Sequence, residues 1–231
     1  MSEIYRAYVK NVKTLKSKRR ALKKQFNIAA ETKNREMLLI LPHLIAMLYS
    51  TFAEMNFYKT IDTPYGFTTD EKNQIKSGRN LEEKWLKTIE LVFLRISNEK
   101  NLGEIQNKKK ILKDLIDSYI IEPSQIRNKI AHGQWTVALN SNHSNINADL
   151  TTKLRELEFV KIDILFELYL MISQMVEDLI ESPNKAHYND FYRYHTEINE
   201  YLDKVKNWSD ETRIENIYKQ KIDNPKYTKG K

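Results

Sequence analysis

Apolar residues recur three or four positions apart along most of this chain, the period of helices that turn one face to a core. Between residues 3 and 31 they are Tyr5, Tyr8, Val9, Val12, Leu15, Leu22 and Phe26, which predicts one long helix. Residues 35–59 predict a second helix, apolar nearly all round through Met47, the mark of a helix at the centre of a bundle. Pro42 is expected to kink it. Residues 60–80 read as a loop, with turns at Thr63-Pro64-Tyr65-Gly66 and Ser77-Gly78. A third helix is expected over residues 82–97, a break over 98–103, and a fourth helix over 105–119 with a basic outer face at Lys108, Lys109 and Lys110. Pro123 then opens a short fifth helix, which runs to about His132 and stops at Gly133. An extended stretch over 135–139 and a polar loop over 140–147 come next. Asp149 or Thr151 is expected to cap one long helix reaching about Glu181, ended by Pro183. A further helix is placed over 185–206, and Ser209 caps a last one. The expected fold is an all-α helical bundle.

Composition agrees with that pattern. The 231 residues suit one domain, and the five Gly and five Pro are too few for a turn-rich β fold. No Cys is present, which removes disulfides and thiolate metal sites and fits an intracellular, cytoplasmic protein. The most apolar stretch, residues 37–49, is expected to be a core helix and not a membrane span. The net charge of +7 is uneven. Residues 1–26 hold nine basic side chains and a single acid, Glu3, and residues 216–231 hold five Lys against Asp223. The body between them is mildly acidic. Basic ends suit a polyanion such as RNA, and equally suit a solvated, solubilising surface. The chain divides on this reading into a basic N-terminal helix (1–31), a bundle (32–208) and a C-terminal helix with a basic tail (209–231).

Candidate chemistry concentrates in Arg127-Asn128-Lys129-Ile130-Ala131-His132-Gly133. An Arg followed by His at this distance decides nothing by spacing alone. The surroundings add to it: a polar Asn after the Arg, an Ala-His-Gly helix end, and helices on either side. This segment resembles the Arg-polar-x3-His signature of HEPN domains. Leu48-Tyr49-Ser50 with Glu54, Gln134-Trp135, Ala138-Leu139-Asn140, Ser182-Pro183 and Asn189-Asp190-Phe191 are similar to one bacterial branch of that superfamily. The likeness covers about residues 35–205 and leaves out the basic N-terminal helix. It implies a HEPN-like helical bundle, often dimeric. It also implies a metal-independent endoribonuclease of a toxin–antitoxin, abortive-infection or antiphage defence system, with no cofactor. Partners would be RNA, a second copy of the chain, and an antitoxin or other regulatory protein. Other members of the superfamily are non-catalytic and bind RNA, nucleotides or proteins.

The residues carry a physical argument of their own. Cleavage of RNA without a metal needs a base for the 2′-OH proton, an acid for the leaving 5′-oxygen and a cation against the phosphorane. The products are a 2′,3′-cyclic phosphate and a 5′-OH. His132 has an imidazole suited to proton transfer near neutrality, and Arg127 a planar fork that grips two phosphate oxygens. Asn128 and His132 share one helix face, where Asn128 holds the ring or positions the substrate. Arg127 lies about 140° round the helix from His132, so it must curl back or reach across from a partner subunit. One imidazole does not easily serve as acid and base together, and this is the reason for expecting a composite site in a homodimer. Glu54, Lys129 and Lys59 are supporting candidates, Glu54 as the residue that orients Arg127 or Lys59. The competing reading makes Arg127 a surface ion-pair residue, His132 a helix cap and Glu54 an exposed acid. His43 reads as a satisfied core histidine, His143 as a chance loop residue, and His187 and His195 with Tyr188, Tyr192 and Tyr194 as a packed aromatic helix. No metal motif, phosphate loop or dinucleotide fingerprint is present.

Overall fold

The computed structural model describes residues 2–96 and 102–223. They form an all-α fold in which the one pairing outside helices is an isolated antiparallel bridge between Leu139 and Ile146. The predicted break over 98–103 lies partly outside the described residues, and Leu102 and Gly103 already belong to a helix. The C-terminal lysines 226, 229 and 231 also lie outside them.

Two helices make the centre. α2 (Arg35–Ile61) and α8 (Phe159–Glu181) pack along their lengths, with Leu41, Ile45, Tyr49, Phe52 and Phe57 set against Phe166, Tyr169, Ile172 and Val176. Buried hydroxyls are tied down, as the cost of burying them requires. Tyr169 donates to the Ala53 carbonyl at 2.6 Å, and Tyr49 donates to the Tyr119 carbonyl. α2 runs through Pro42 without a break. It is long and apolar enough to cross a membrane by length and composition, and it buries much of that apolar surface inside the bundle. Its sequence predicted a helix at the bundle centre, apolar nearly all round through Met47, but one apolar face is left open. Leu39 is 73% exposed and, with Ile40, Leu44 and Met47, forms an open stripe along one face.

α1 (Glu3–Glu31) lies against α2 and is part of the core, not an appendage. Val12, Phe26, Ala29 and Ala30 are buried, and Phe26 stacks on Phe159 with centroids 4.6 Å apart. One of its expected basic groups points inward. Arg19 donates to Asp163 Oδ1 at 2.5 Å, to Glu167 Oε1 at 2.6 Å and to the Asp163 carbonyl at 2.8 Å. Arg6, Lys10, Lys13, Lys18, Arg20 and Lys24 stay exposed.

The stretch read as loop 60–80 holds a helix, α3 (Thr69–Lys76), opened by a capping box in which Thr68 and Glu71 bond reciprocally. Glu71 also meets Arg95 at 2.6 Å. Burial raises its carboxyl, but the hydrogen bonds from Arg95 and Thr68 outweigh that and hold it below the usual carboxylate range. α4 (Leu81–Leu94) follows, with Trp85 buried edge-on against Phe57.

α5 (Leu102–Ile116) and α6 (Glu122–Ala131) are one helical run interrupted by a π-turn at Asp117–Ile121. The expected basic outer face of α5 is corrected at Lys108. Its ammonium is buried, bonded to Glu104 at 3.0 Å and to the His187 carbonyl at 2.7 Å. The single long helix expected from Asp149 to Glu181 is two, α7 (Ala148–Arg155), capped by Asn147, and α8. Asp210 seals the start of α8, accepting from the Phe159 and Val160 N–H groups at 2.9 and 2.7 Å, while Glu158 accepts from the Asp210 N–H. Burial raises the Asp210 carboxyl above its ordinary range despite those two donors. The single turn α9 (Pro183–Lys185) leads through a second π-turn (Ala186–Asp190) into α10 (Phe191–Val205). α11 (Asp210–Asp223), capped by Ser209 as predicted, returns to α1, where Tyr218 donates to the Ala30 carbonyl at 3.0 Å.

Candidate functional site

α6 ends in a Schellman motif. Gly133 takes φ +77°, its N–H donates to the Ile130 carbonyl at 3.0 Å, and the Gln134 N–H donates to the Lys129 carbonyl at 2.9 Å. The backbone therefore closes the helix, and the His132 side chain is not needed as a cap. That ring is exposed and makes no hydrogen bond or ion pair with another described residue.

The chain after Gly133 folds back beside α6 and is pinned to it. Gln134 Oε1 accepts from the Leu139 N–H at 2.7 Å, and the Lys129 ammonium donates to the Leu139 carbonyl. The loop 140–147 is organised around Asn140, whose Oδ1 accepts from the Ser144 N–H at 2.9 Å and whose carbonyl accepts from the His143 N–H at 3.2 Å. At its tip His143 is held at φ +55°, a left-handed conformation that side-chain-bearing residues rarely adopt. A hollow of about 240 Å³ opens between helix end and loop, lined by Asn128, Lys129, His132, Asn140 and His143 among others.

Arg127 faces elsewhere. Its Nε donates to Ser50 Oγ at 2.8 Å, and it lines a second recess of about 380 Å³ with Glu54, Tyr58, Arg79, Lys84 and Glu82. Cations and carboxylates are mixed there: Arg79 is paired with Glu83 at 2.6 Å, and Lys84 donates to the Tyr58 hydroxyl at 3.0 Å. Asn128 lines both recesses and is the point where they adjoin. So Arg127 and His132 of one chain do not share a recess, as the angle between them on the helix anticipated.

The supporting candidates separate. Glu54 lies in the Arg127 recess, although Ser50, not Glu54, holds the guanidinium. Lys129 lies in the His132 hollow. Lys59 belongs to neither; it pairs with Glu177 at 2.5 Å, a carboxylate that also takes the Thr60 hydroxyl, and so ties α2 to α8. No three of His, Asp and Glu among the described residues are gathered closely enough to share a cation.

The other histidines are engaged. His43 stacks on Trp135 with centroids 4.9 Å apart, and its two ring nitrogens face the Leu39 and Trp135 carbonyls at 3.1 Å. His187 is buried between Phe93 and Tyr188, and His195 meets Asn199 at 3.3 Å. His143, which reads from the sequence as a chance loop residue, is the one that sequence reasoning passes over. Eleven positions separate it from His132, and only the folding-back after Gly133 brings both to one hollow. Nothing in a histidine itself announces the left-handed turn at the loop's tip; the Asn-rich run around it is the signal the sequence offers.

No family model, curated protein or solved structure matches this chain.

Proposed function

We propose that this protein is a metal-independent endoribonuclease of the HEPN type, working in the cytoplasm in a toxin or antiphage defence setting. The observation that carries the reading is the His132 ring, exposed and unengaged on a hollow that also holds Lys129 and Asn128. An imidazole beside an ammonium and a side-chain amide is a chemically sufficient start for phosphodiester transesterification. Arg127 then grips the RNA backbone in the adjoining recess, and Asn128 bridges the two. The setting comes only from the resemblance of residues 127–133 and their surroundings.

The test is cleavage of total RNA with and without EDTA, followed by analysis of the ends. The expected result is cleavage that survives chelation and leaves 2′,3′-cyclic phosphate and 5′-OH termini. Activity that vanishes with chelator and returns with magnesium or manganese contradicts the proposal. The separation of Arg127 from His132 favours a second reading, a non-catalytic HEPN-like module that binds RNA, nucleotide or a partner protein. Binding without any cleavage is its signature.

The assembly this reading favours is a two-fold pair through the apolar stripe of α2. Leu39, Ile40, Leu44 and Met47 lie on one helix face, and His43 on the same helix stacks on Trp135 just beyond the motif. The stripe is the surface on which a second copy would pair, helix against helix, about a two-fold axis. Sedimentation equilibrium should give a dimer for the native chain and a monomer for the double variant Leu39→Glu with Leu44→Glu. A native chain that is monomeric at high micromolar concentration refutes the pair.

A further inference from the structure

We infer that His143 is the second proton carrier of the site, so that one chain holds both the acid and the base. The inference rests on the ribonuclease reading above and adds to it a residue from outside the motif. Transesterification moves two protons at two different oxygens. A single imidazole meets both only by shuttling between them, or by pairing with a second copy across a dimer. The fold supplies another imidazole within the same chain. His132 stands at the C-terminus of α6 and His143 at the tip of the following loop, and both line the 240 Å³ hollow.

Three features mark the arrangement as built. The base of the loop is fastened to α6 twice, through Gln134 and through Lys129. Its interior is organised by the Asn140 side chain and by the bond from the Asn140 N–H to the Asn145 carbonyl at 2.9 Å. His143 itself is kept at φ +55°, in the left-handed region that non-glycine residues enter infrequently, His more readily than most. Neither ring is engaged by a hydrogen bond or ion pair among the described residues, in contrast to His43 and His195. Lys129 lies on the same hollow as the cation that the phosphorane requires.

The step balances without any further reagent. One neutral imidazole takes the proton of the 2′-OH as O2′ forms its bond to phosphorus. The other, as imidazolium, gives its proton to O5′ as the P–O5′ bond breaks. The products are the 2′,3′-cyclic phosphate and the 5′-OH. The two rings end with their protonation states exchanged and reset through solvent.

The experiment uses the full chain and an oligoribonucleotide whose cleaved bond has been mapped with the native protein, in two forms: the natural ester, and the same sequence with sulfur replacing the bridging 5′-oxygen at that bond. A thiolate leaves without being protonated, so the sulfur form needs the base but not the acid. The variants are His132→Gln and His143→Asn; Asn accepts the left-handed backbone, so the second keeps the loop. On the natural ester both variants should lose about 10²- to 10⁴-fold in rate. On the sulfur form one of them should return to within about tenfold of the native rate while the other stays low, which also names the acid. Native rates for His143→Asn on the natural ester overturn the inference, as does equal behaviour of both variants on the sulfur form. Loss with His132→Gln alone sinks His143 and leaves the ribonuclease reading standing. Absence of cyclic phosphate product from the native protein removes that reading and His143 with it.

Discussion

His132→Ala should reduce RNA cleavage by about 10²- to 10⁴-fold while leaving the melting temperature within a few degrees of the native value. The two halves of this expectation have separate physical grounds. The loss of rate follows from removing a proton carrier whose ring stands on the hollow with Lys129 and Asn128. The intact fold follows from what the ring does not do. It is exposed, it forms no hydrogen bond or ion pair with a described residue, and the helix end it occupies is closed by the N–H groups of Gly133 and Gln134. Substitutions at such positions usually change stability by about 0.5 kcal/mol or less. RNA decay followed on gels and a thermal melt of both proteins check the two halves independently. Full cleavage by the variant removes His132 from the chemistry. A collapsed melting temperature would instead assign it to the fold.

Removal of residues 2–31 should leave a chain that does not fold. The composition of this segment invites the opposite view, that it is a detachable basic arm which guides RNA to the site. The packing argues against detachment. Phe26 and Val12 are buried, Phe26 stacks on Phe159, and α11 rests on α1 through Tyr218 and Arg213. Deletion also strips both cations, Arg19 and Lys23, from Asp163, whose side chain is largely buried. The lost ion pairs cost stability, and the total for a domain is only about 5–15 kcal/mol. Exposed apolar surface on α2 and α8 adds to that cost. Circular dichroism and solubility of the truncated chain check it, and a soluble, cooperatively melting product contradicts it. The RNA-guiding role is therefore tested by charge reversal in the intact chain. Arg6, Lys10 and Lys13 are exposed together on one side of α1. If they contact phosphates, changing all three to Glu should flatten the slope of log affinity against log salt by about 2, at roughly 0.7 per contact on a single strand. An unchanged slope excludes them from the RNA path.

The architecture is largely legible in the sequence because helix ends are written locally. Gly133 stops α6 and Ser209 opens α11 with their own backbone or side chains, within three residues of the end they mark. The errors fall where the deciding contact is remote or quiet. The apolar period runs straight through residues 156–158, with no Gly or Pro to interrupt it. The helix nevertheless breaks there because Asp210, more than fifty positions away, takes the first N–H groups of α8. Lys108 reads as surface charge because Glu104, one turn away, makes an ordinary surface pair, while the His187 carbonyl that draws the ammonium inward lies 79 positions on. α3 escapes a pattern reading although Thr68 and Glu71 stand at capping-box spacing, since two turn signals flank a polar stretch and together suggest a loop. The site is half legible. Arg127, Asn128, Lys129 and His132 lie on one short helix and can be found together, whereas Ser50 behind Arg127 and His143 facing the hollow depend on chain reversals.

The π-turn at Asp117–Ile121 carries a consequence for how variation can act on this protein. It absorbs one extra residue, without a further step of rotation, between α5, which is anchored in the core through Leu112, Leu115 and Ile116, and α6, which bears Arg127 and Asn128. Each residue in a regular helix rotates the downstream turns by about 100°. The orientation of the motif is thus encoded in the length of the regular helix upstream, not in the motif's own letters. A one-residue deletion between 117 and 121 would close the π-turn into regular α-helix and leave Arg127 on Ser50, whereas a one-residue deletion in the regular turns of α6 ahead of Arg127 would turn it away.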